Sequence, residues 1–99
     1  MSVWSIYVLR DETNSLYTGI STDVQRRLTQ HRQSDGYGAK YTRSKKHLDL
    51  VYSCELGSRS LASRAEYRLK RLVKGEKERI VSSGFDRPGL LDRLGLPVE

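Results

Sequence analysis

Residues 3–20 have the sequence VWSIYVLRDETNSLYTGI, in which two apolar segments flank a polar one. Residues 3–9 are rich in β-branched and aromatic side chains at both odd and even positions, which is typical of a strand buried on both faces. The polar residues 11–15 have the composition of a turn. Residues 16–20 predict a second short strand, so the two segments are expected to form a hairpin with a tyrosine on each strand.

The segment after the hairpin carries the signals that start a helix. Thr22 is followed three residues later by Gln25, which is a capping-box pattern, and the acid after Thr22 suits the positive end of a helix dipole. A helix is therefore predicted over about 23–32. Residues 34–47 are polar, basic and contain glycine, which predicts an exposed loop with a short turn of helix near 39–43.

A third strand and a longer helix are predicted in the second half of the chain. Residues 48–56 alternate apolar and polar side chains with a period of two, which indicates a strand with one wetter face. Ser58 or Ser60 can cap the helix that follows, and residues 74–75, a lysine and a glycine, are expected to close it. Its apolar stripe consists of Leu61, Ala65, Leu69 and Leu72, with Ala62 and Val73 beside them. A further short helix is predicted over 76–82.

The length and composition predict one small domain. A chain of 99 residues with 36% hydrophobic residues suits a single hydrophobic core. Residues 1–83 are assigned to the folded domain, and residues 84–99, with two prolines and three glycines, to an irregular or partly helical tail. Cys54 is the only cysteine, which excludes an intramolecular disulfide and a thiolate metal site. With no secretory signal and no run of ~18 apolar residues, a cytoplasmic protein is expected.

The chain is basic, and its basic residues are concentrated in two segments. It has 18 Lys and Arg against 12 Asp and Glu, a formal net charge of +6. Residues 24–47 contain seven bases and a single acid, Asp35, and residues 56–75 contain six bases and a single acid, Glu66. Such a charge attracts polyanions, and nucleic acid is the partner that it favours, although many basic proteins bind none.

Glu66 is the first candidate for a functional side chain. On a helical wheel it lies roughly 80° from the centre of the apolar stripe, at the border between core and solvent, so it points toward a groove. The alternative is an ion pair with Arg59 or Lys70 on the helix surface, which contributes only about 0.3–0.5 kcal/mol.

Arg27 and His31 are one helical turn apart on the first predicted helix, beside its apolar face. From there an arginine can bind a phosphate through two N–H groups, and a histidine can accept or relay a proton near neutral pH. The alternative for His31 is a packing or capping role near the helix C-terminus. Tyr7 and Tyr17 are unspecific by themselves, because tyrosine is common in strands and this chain has six.

The order and spacing of these residues resemble the GIY-YIG nuclease family. Residues 5–7, SIY, and 17–19, YTG, match its two tripeptides. The residues that follow in the family's order are Arg27, His31 and the helical Glu66. The resemblance covers about residues 4–75, and residues 38–43, GAKYTR, and 63–66, SRAE, are similar to its short, stand-alone bacterial branch, the UPF0213-like proteins. It implies an α/β (α+β) sandwich in which a small three-stranded antiparallel sheet is flanked by helices.

The resemblance also implies an activity, the hydrolysis of phosphodiester bonds in DNA, and a catalytic cluster. The residues that it assigns to the cluster are Tyr7, Tyr17, Arg27, His31 and Glu66. Glu66 would hold one divalent ion, Mg²⁺ or Mn²⁺, together with water and substrate phosphates, and Arg27 would stabilise charge on the phosphate oxygens. Either tyrosine or His31 would deprotonate the attacking water, and a tyrosine in that role needs nearby cations to lower its pKa from about 10.

Phosphate contacts are expected from the basic loop after the first helix: Lys40, Tyr41, Arg43, Lys45 and Lys46. Such contacts give salt-dependent binding with little base specificity. DNA is the expected partner, in repair or recombination and with selectivity for DNA structure, and RNA is the other candidate. Binding to DNA would place the protein at the nucleoid. No membrane and no obligate protein partner are expected.

Two features depart from the family pattern. Many members have a lysine directly after the second tripeptide and an asparagine late in the domain, whereas this chain has Ile20 and no asparagine beyond Asn14. These departures support an alternative, a DNA- or RNA-binding module that keeps the nuclease fold with little or no catalysis. Another alternative is a protein-interaction domain whose basic surface binds an acidic partner, for which Glu66 would be dispensable.

Overall fold

Three antiparallel strands form one sheet, and helices pack on both of its faces. The computed structural model describes residues 2–33 and 48–98. Its elements are β1 (Trp4–Asp11), β2 (Leu16–Ser21), α1 (Val24–Gln33), β3 (Leu48–Gly57), α2 (Arg59–Lys70), α3 (Lys74–Ser83) and α4 (Arg87–Arg93). The strand order is β2-β1-β3, and β1 pairs with both neighbours. The predicted α+β architecture is confirmed.

β1 is central because both of its faces are apolar. Ile6 and Val8 face the larger core, where α2, α3 and α4 pack, and Tyr7 and Leu9 face the smaller core, where α1 packs through Leu28. All of these side chains are buried. A strand with two apolar faces is shielded from water only between two layers. The prediction that this segment is buried on both sides is confirmed.

α1 begins one residue later than predicted, because its capping residue is Asp23 and not Thr22. Oδ1 of Asp23 accepts a hydrogen bond from the backbone N–H of Arg26 at 3.1 Å, and the N–H of Asp23 donates to Oγ of Ser21 at 2.9 Å. One of the unpaired N–H groups at the helix start is thereby satisfied. The helix runs over Val24–Gln33.

Of the two serines predicted as candidates, Ser58 caps α2, through a hydrogen bond of 3.1 Å from the backbone N–H of Leu61. It ends at Lys70, however, before the predicted end. Gly75 does not close it, because Gly75 lacks the left-handed backbone of a helix-ending glycine and lies in the first turn of α3. Gly84, with φ 62°, has that conformation and ends α3. Val73 occupies the N-cap position of α3 and is 72% exposed, so its predicted place beside the apolar stripe of α2 is wrong.

The C-terminal segment contains α4 and completes the larger core. Asp86 caps this helix by accepting the N–H of Gly89 at 3.0 Å, and a proline occupies its first turn, where no N–H is needed. The buried leucines of this segment are Leu90, Leu91, Leu94 and Leu96. Tyr52 on β3 donates to the carbonyl of Phe85 at 2.6 Å. The segment therefore packs in the same core as the sheet and α2.

A network of polar contacts fixes α3 to the hairpin turn. Arg10 donates to both carboxylate oxygens of Glu78, at 2.7 and 2.6 Å, and to Oδ1 of Asn14 at 2.6 Å. Lys74 donates to the carbonyl of Asn14 at 2.6 Å. The hydrogen bonds from Arg10 hold the pKa of Glu78 below its usual value. The turn that precedes Tyr17 is thus held by both a strand and a helix.

The predicted loop 34–47, with its short turn near 39–43, lies outside the described residues. No helix in the part of the chain that the structure describes has the length and apolarity to cross a membrane.

Candidate active site

A cleft of about 250 Å³ beside the hairpin brings together all five residues of the predicted catalytic cluster. Its lining includes Tyr7, Tyr17, Arg27, His31 and Glu66, together with Lys70. These side chains come from β1, β2, α1 and α2. Because β2 is an edge strand and the two helices pack on opposite faces of the sheet, the cleft lies across that edge, where side chains from both faces can meet.

Gly19 allows the close packing of this cleft. It lies directly opposite Tyr7 in the pairing of β1 with β2, and the tyrosine ring passes over it. A Cβ at residue 19 would be only 2.5 Å from Cζ of Tyr7. The missing side chain thus gives the ring room at the sheet edge, where it interacts electrostatically with Glu66 and Lys70.

Replacing Gly19 with alanine is expected to destabilise the protein by about 1–3 kcal/mol, because the added methyl group forces the Tyr7 ring out of its position. Urea unfolding measures the change. Gly75→Ala is the matched control, since a Cβ there meets nothing within 4 Å and its backbone does not have a positive φ. Equal stability of the two variants would contradict the proposed role of Gly19.

Tyr7 and His31 form a hydrogen-bonded pair inside the cleft. Oη of Tyr7 is 3.3 Å from Nε2 of His31, and the rings meet edge to face at 62°. Nδ1 of His31 is buried and has no hydrogen-bond partner among the described residues. A single proton therefore connects the hydroxyl oxygen and Nε2, and either atom can carry it.

Burial sets the protonation of this pair. It raises the pKa of Tyr7 above 10.0, and the hydrogen bond and charge of Arg27 do not offset the rise. Arg27 thus acts to lower the pKa of Tyr7, as a nearby cation is expected to, but burial outweighs it. Burial, and secondarily the charge of Arg27, lowers the pKa of His31 below 6.5. At neutral pH the tyrosine is protonated and the imidazole is neutral, so the imidazole is the proton acceptor of the pair.

Tyr17 has a different partner, Asp11. Its hydroxyl donates to Oδ2 of Asp11 at 2.8 Å, while Oδ1 accepts from the hydroxyl and N–H of Thr13 and from the N–H of Ser15. Burial alone raises the pKa of Asp11, but these hydrogen bonds outweigh it and hold that pKa well below its usual range. The ionised carboxylate orients the Tyr17 hydroxyl by accepting its hydrogen bond.

Arg27 is exposed and lies where two depressions of the surface meet. It lines the cleft and also a shallower hollow of about 190 Å³ at the start of α1. Its guanidinium donates to Oε1 of Gln30 at 3.2 Å and also interacts with the hydroxyl of Tyr7. Most of its five N–H donors therefore remain available for a phosphate.

Glu66 is half-buried at the rim of the core, as predicted, with 25% of its side chain exposed. Its Oε2 is 3.1 Å from Nζ of Lys70, one helical turn further along α2. From the sequence, Lys70 was expected only as a surface partner of Glu66, and its place in the cleft was not predicted. The available signal was its i+4 spacing from Glu66 on the same helix face.

The predicted phosphate-binding residues of the loop, Lys40, Tyr41, Arg43, Lys45 and Lys46, lie outside the described residues. Within residues 2–33 and 48–98, no group of three or more His, Cys, Asp or Glu side chains could hold a metal ion. A single carboxylate, Glu66, lines the described part of the cleft.

Comparison with known proteins agrees with this fold. The chain belongs to the GIY-YIG family, since the GIY-YIG catalytic domain matches residues 3–79. This family has a nuclease domain, so the chain is endonuclease-like in class.

The chain is also similar to individual bacterial proteins of the UPF0213 group. It is 50% identical to the UPF0213 protein YhbQ of Escherichia coli K12 over 97 residues, which are 98% of this chain and 95% of that protein. The solution structure of the UPF0213 protein BH0048 from Bacillus halodurans is 34% identical, with a TM-score of 0.55, covering 96% of this chain and 99% of that one. The protein EF2693 from E. faecalis is 32% identical, with a TM-score of 0.59, covering 84% and 86%.

Proposed function

We propose that this protein is a metal-dependent endonuclease that hydrolyses phosphodiester bonds in DNA. The observation that carries the proposal is the cleft itself, which combines a carboxylate, two cations and a tyrosine–histidine pair within about 250 Å³. Hydrolysis of a phosphodiester needs a proton acceptor for water and positive charge at the phosphate oxygens. The cleft offers both.

The proton acceptor in this proposal is His31, which acts through Tyr7. The attacking water forms a bond to phosphorus and gives its proton to Oη of Tyr7, while the proton of Tyr7 passes to Nε2 of His31 over 3.3 Å. The bond that breaks releases an ester oxygen of the strand, which takes a proton from solvent. The directions of the two pKa shifts support this order, because Tyr7 is difficult to ionise and His31 is neutral.

The positive charge comes from both sides of the sheet. Arg27 on α1 can hold two phosphate oxygens with its planar guanidinium, and Lys70 on α2 adds a second cation in the same cleft. The negative charge on the phosphate oxygens grows as water attacks, so these donors stabilise the transition state more than the ground state.

The side chains of the cleft fit one metal ion that is bound together with substrate. Mg²⁺ keeps several of its waters and needs only one or two carboxylates beside substrate phosphates, which matches Glu66 as the sole carboxylate of the described lining. When bound, the ion would polarise a phosphoryl oxygen and neutralise charge on the leaving oxygen. Glu66 already attracts a cation, Lys70, in the free protein.

The ion pair between Glu66 and Lys70 also favours a second candidate, a nucleic-acid-binding module with little catalysis. In that function Glu66 only fixes Lys70 for phosphate contact. The change from the family's lysine to Ile20 is compatible with this candidate as well.

The test is cleavage of labelled linear, flapped and branched DNA by the purified protein in Mg²⁺, in Mn²⁺ and in EDTA. Cutting in Mg²⁺ or Mn²⁺ that EDTA stops is the expected result, and the comparison of substrates shows the selectivity for DNA structure. Binding of every DNA without cutting in either metal would replace the nuclease with the binding module. A role in DNA repair or recombination belongs to the same proposal, as does a location in the bacterial cytoplasm, with which the bacterial relatives are compatible.

A further inference from the structure

The outer face of α2 presents an aromatic ring to solvent. Tyr67 is 62% exposed, which is more than any other aromatic side chain among residues 2–33 and 48–98. The other described aromatic side chains are buried or half-buried. An exposed tyrosine on a helix contributes little to folding, so its ring is available for a ligand.

The side chain of Tyr67 contacts a guanidinium and also lines a cavity. Cζ of Arg71, one turn further along the helix, is 5.1 Å from the ring centroid. One turn before Tyr67, Ser63 and Arg64 line a cavity of about 310 Å³ together with the tyrosine and Arg68. This volume is sufficient for a planar ring system that stacks on Tyr67.

The charge around this cavity is positive. The sequence of α2 contains four bases and a single acid, Glu66. Arg68 is held in place by hydrogen bonds from its Nη1 to the carbonyls of Leu94 and Gly95, at 3.1 and 3.3 Å. Arg64 and Arg71 form no ion pair with another described residue. The surface therefore complements an anion that carries aromatic rings, which is the chemistry of a nucleic-acid strand.

This surface adjoins the cleft along the same helix. Ser63 is three residues before Glu66, and Tyr67 is three residues before Lys70. Residues three apart are neighbours on a helix surface, so each of these cavity residues lies next to a residue of the cleft. A strand with its phosphate at Glu66 and Lys70 can continue directly past Tyr67. The bases of a duplex are stacked on one another and cannot use the ring, whereas an unpaired base can.

We propose that α2 carries a binding site for an unpaired nucleotide of DNA, in which the base stacks on Tyr67 and the flanking phosphates contact Arg64 and Arg71. The inference rests on the proposed function, because it extends the path of the strand that the cleft would cut. It assigns to the protein substrates with a single-stranded segment next to the scissile phosphate.

Binding in EDTA tests the site without cleavage. Fluorescence anisotropy is measured with a labelled single-stranded thymidine 20-mer and with a blunt DNA duplex, for the wild type, Tyr67→Ala and Tyr67→Phe. Tyr67→Ala is expected to weaken binding of the single strand by about 10-fold and to leave duplex binding within about 2-fold, because base–aromatic stacking is lost. Tyr67→Phe keeps the ring and is expected to bind like the wild type.

Arg64→Ala examines the phosphate contact. It is expected to reduce the slope of log affinity against log salt by about 0.7 for the single strand, which corresponds to one lost phosphate contact. Arg79→Ala is the matched control, since Arg79 is exposed on α3 and outside the cavity lining. Equal slopes for the two variants would refute the phosphate contact.

The site is refuted if Tyr67→Ala binds the single strand as tightly as the wild type, or if it weakens single strand and duplex equally. Failure of the wild type to bind the single strand refutes it as well, and tighter binding of an RNA of the same sequence refutes the assignment to DNA. Failure of the proposed nuclease function gives a different result from failure of this site. The protein would then cut no DNA in Mg²⁺ or Mn²⁺, but its single-strand binding in EDTA would still depend on Tyr67.

Discussion

Replacing Glu66 with glutamine is expected to lower the rate of DNA cleavage by about 10³-fold or more, because the cleft loses its carboxylate ligand for the metal ion. The substitution preserves the size of the side chain and removes only its charge. The rate is measured with the preferred DNA in Mg²⁺ at saturating enzyme. The ion pair with Lys70 is on a helix surface, so the protein is expected to lose no more than about 0.5 kcal/mol of stability.

Two variants separate this role from a loss of charge or of the ion pair. Glu55→Gln removes an exposed carboxylate from β3, away from the cleft lining, and is expected to cut normally. Lys70→Met breaks the same ion pair but leaves the carboxylate, so it is expected to retain more activity than Glu66→Gln. Full activity of Glu66→Gln would contradict the metal-binding role.

Replacing His31 with glutamine is expected to slow cleavage by about 10²–10⁴-fold, the usual contribution of a general base. The wild type is expected to gain activity as pH rises through the pKa of His31, which burial and Arg27 lower below 6.5, so that its activity is full at neutral pH. Only the neutral imidazole accepts the proton, so activity is lost at acid pH, where His31 is protonated. A pH profile of kcat/KM in the wild type and the variant measures both effects.

Among the described residues, the groups that interact with His31 are Tyr7, whose pKa burial raises above 10.0, and the guanidinium of Arg27. His31→Gln should therefore abolish the acid limb of the pH profile, which is the fall of kcat/KM at low pH, as well as most of the rate. Gln25→Ala, an exposed position on α1, is the control and is expected to keep the limb. If His31→Gln keeps the acid limb unchanged, a group other than His31 causes it, and His31 is not shown to be the proton acceptor.

Much of the fold could be predicted from local patterns. The apolar residues on both faces of β1 identify a central strand, the polar turn identifies the hairpin, and the period of two identifies β3, because burial of a side chain depends on its position along a regular element. The same periodicity placed Glu66 at the edge of the core. The ends of the helices were less predictable, since Gly75 resembles a helix-ending glycine in sequence and only its backbone conformation shows that it is not one.

The composition of the cleft was predictable, and its chemistry was not. The resemblance to the family supplied Tyr7, Tyr17, Arg27, His31 and Glu66, and the structure brings them together. It did not supply the pairing of Tyr7 with His31 or of Tyr17 with Asp11. These pairs depend on the register of β1 with β2 and on how closely α1 packs, which no single segment encodes.

By itself, the sequence determined the three strands, the helices between residues 23 and 82 and the side chains on each face, because strand and helix periods are local properties of the chain. The candidate cluster came from the resemblance to the family. Only the tertiary structure decided that Lys70 shares the cleft with Glu66, that Gly19 makes room for the Tyr7 ring, and that α4 completes the core. It also decided the sign of the pKa shift of Tyr7, since burial and the charge of Arg27 act in opposite directions. Which of the two prevails depends on distances between residues that are far apart in sequence, and folding alone sets those distances.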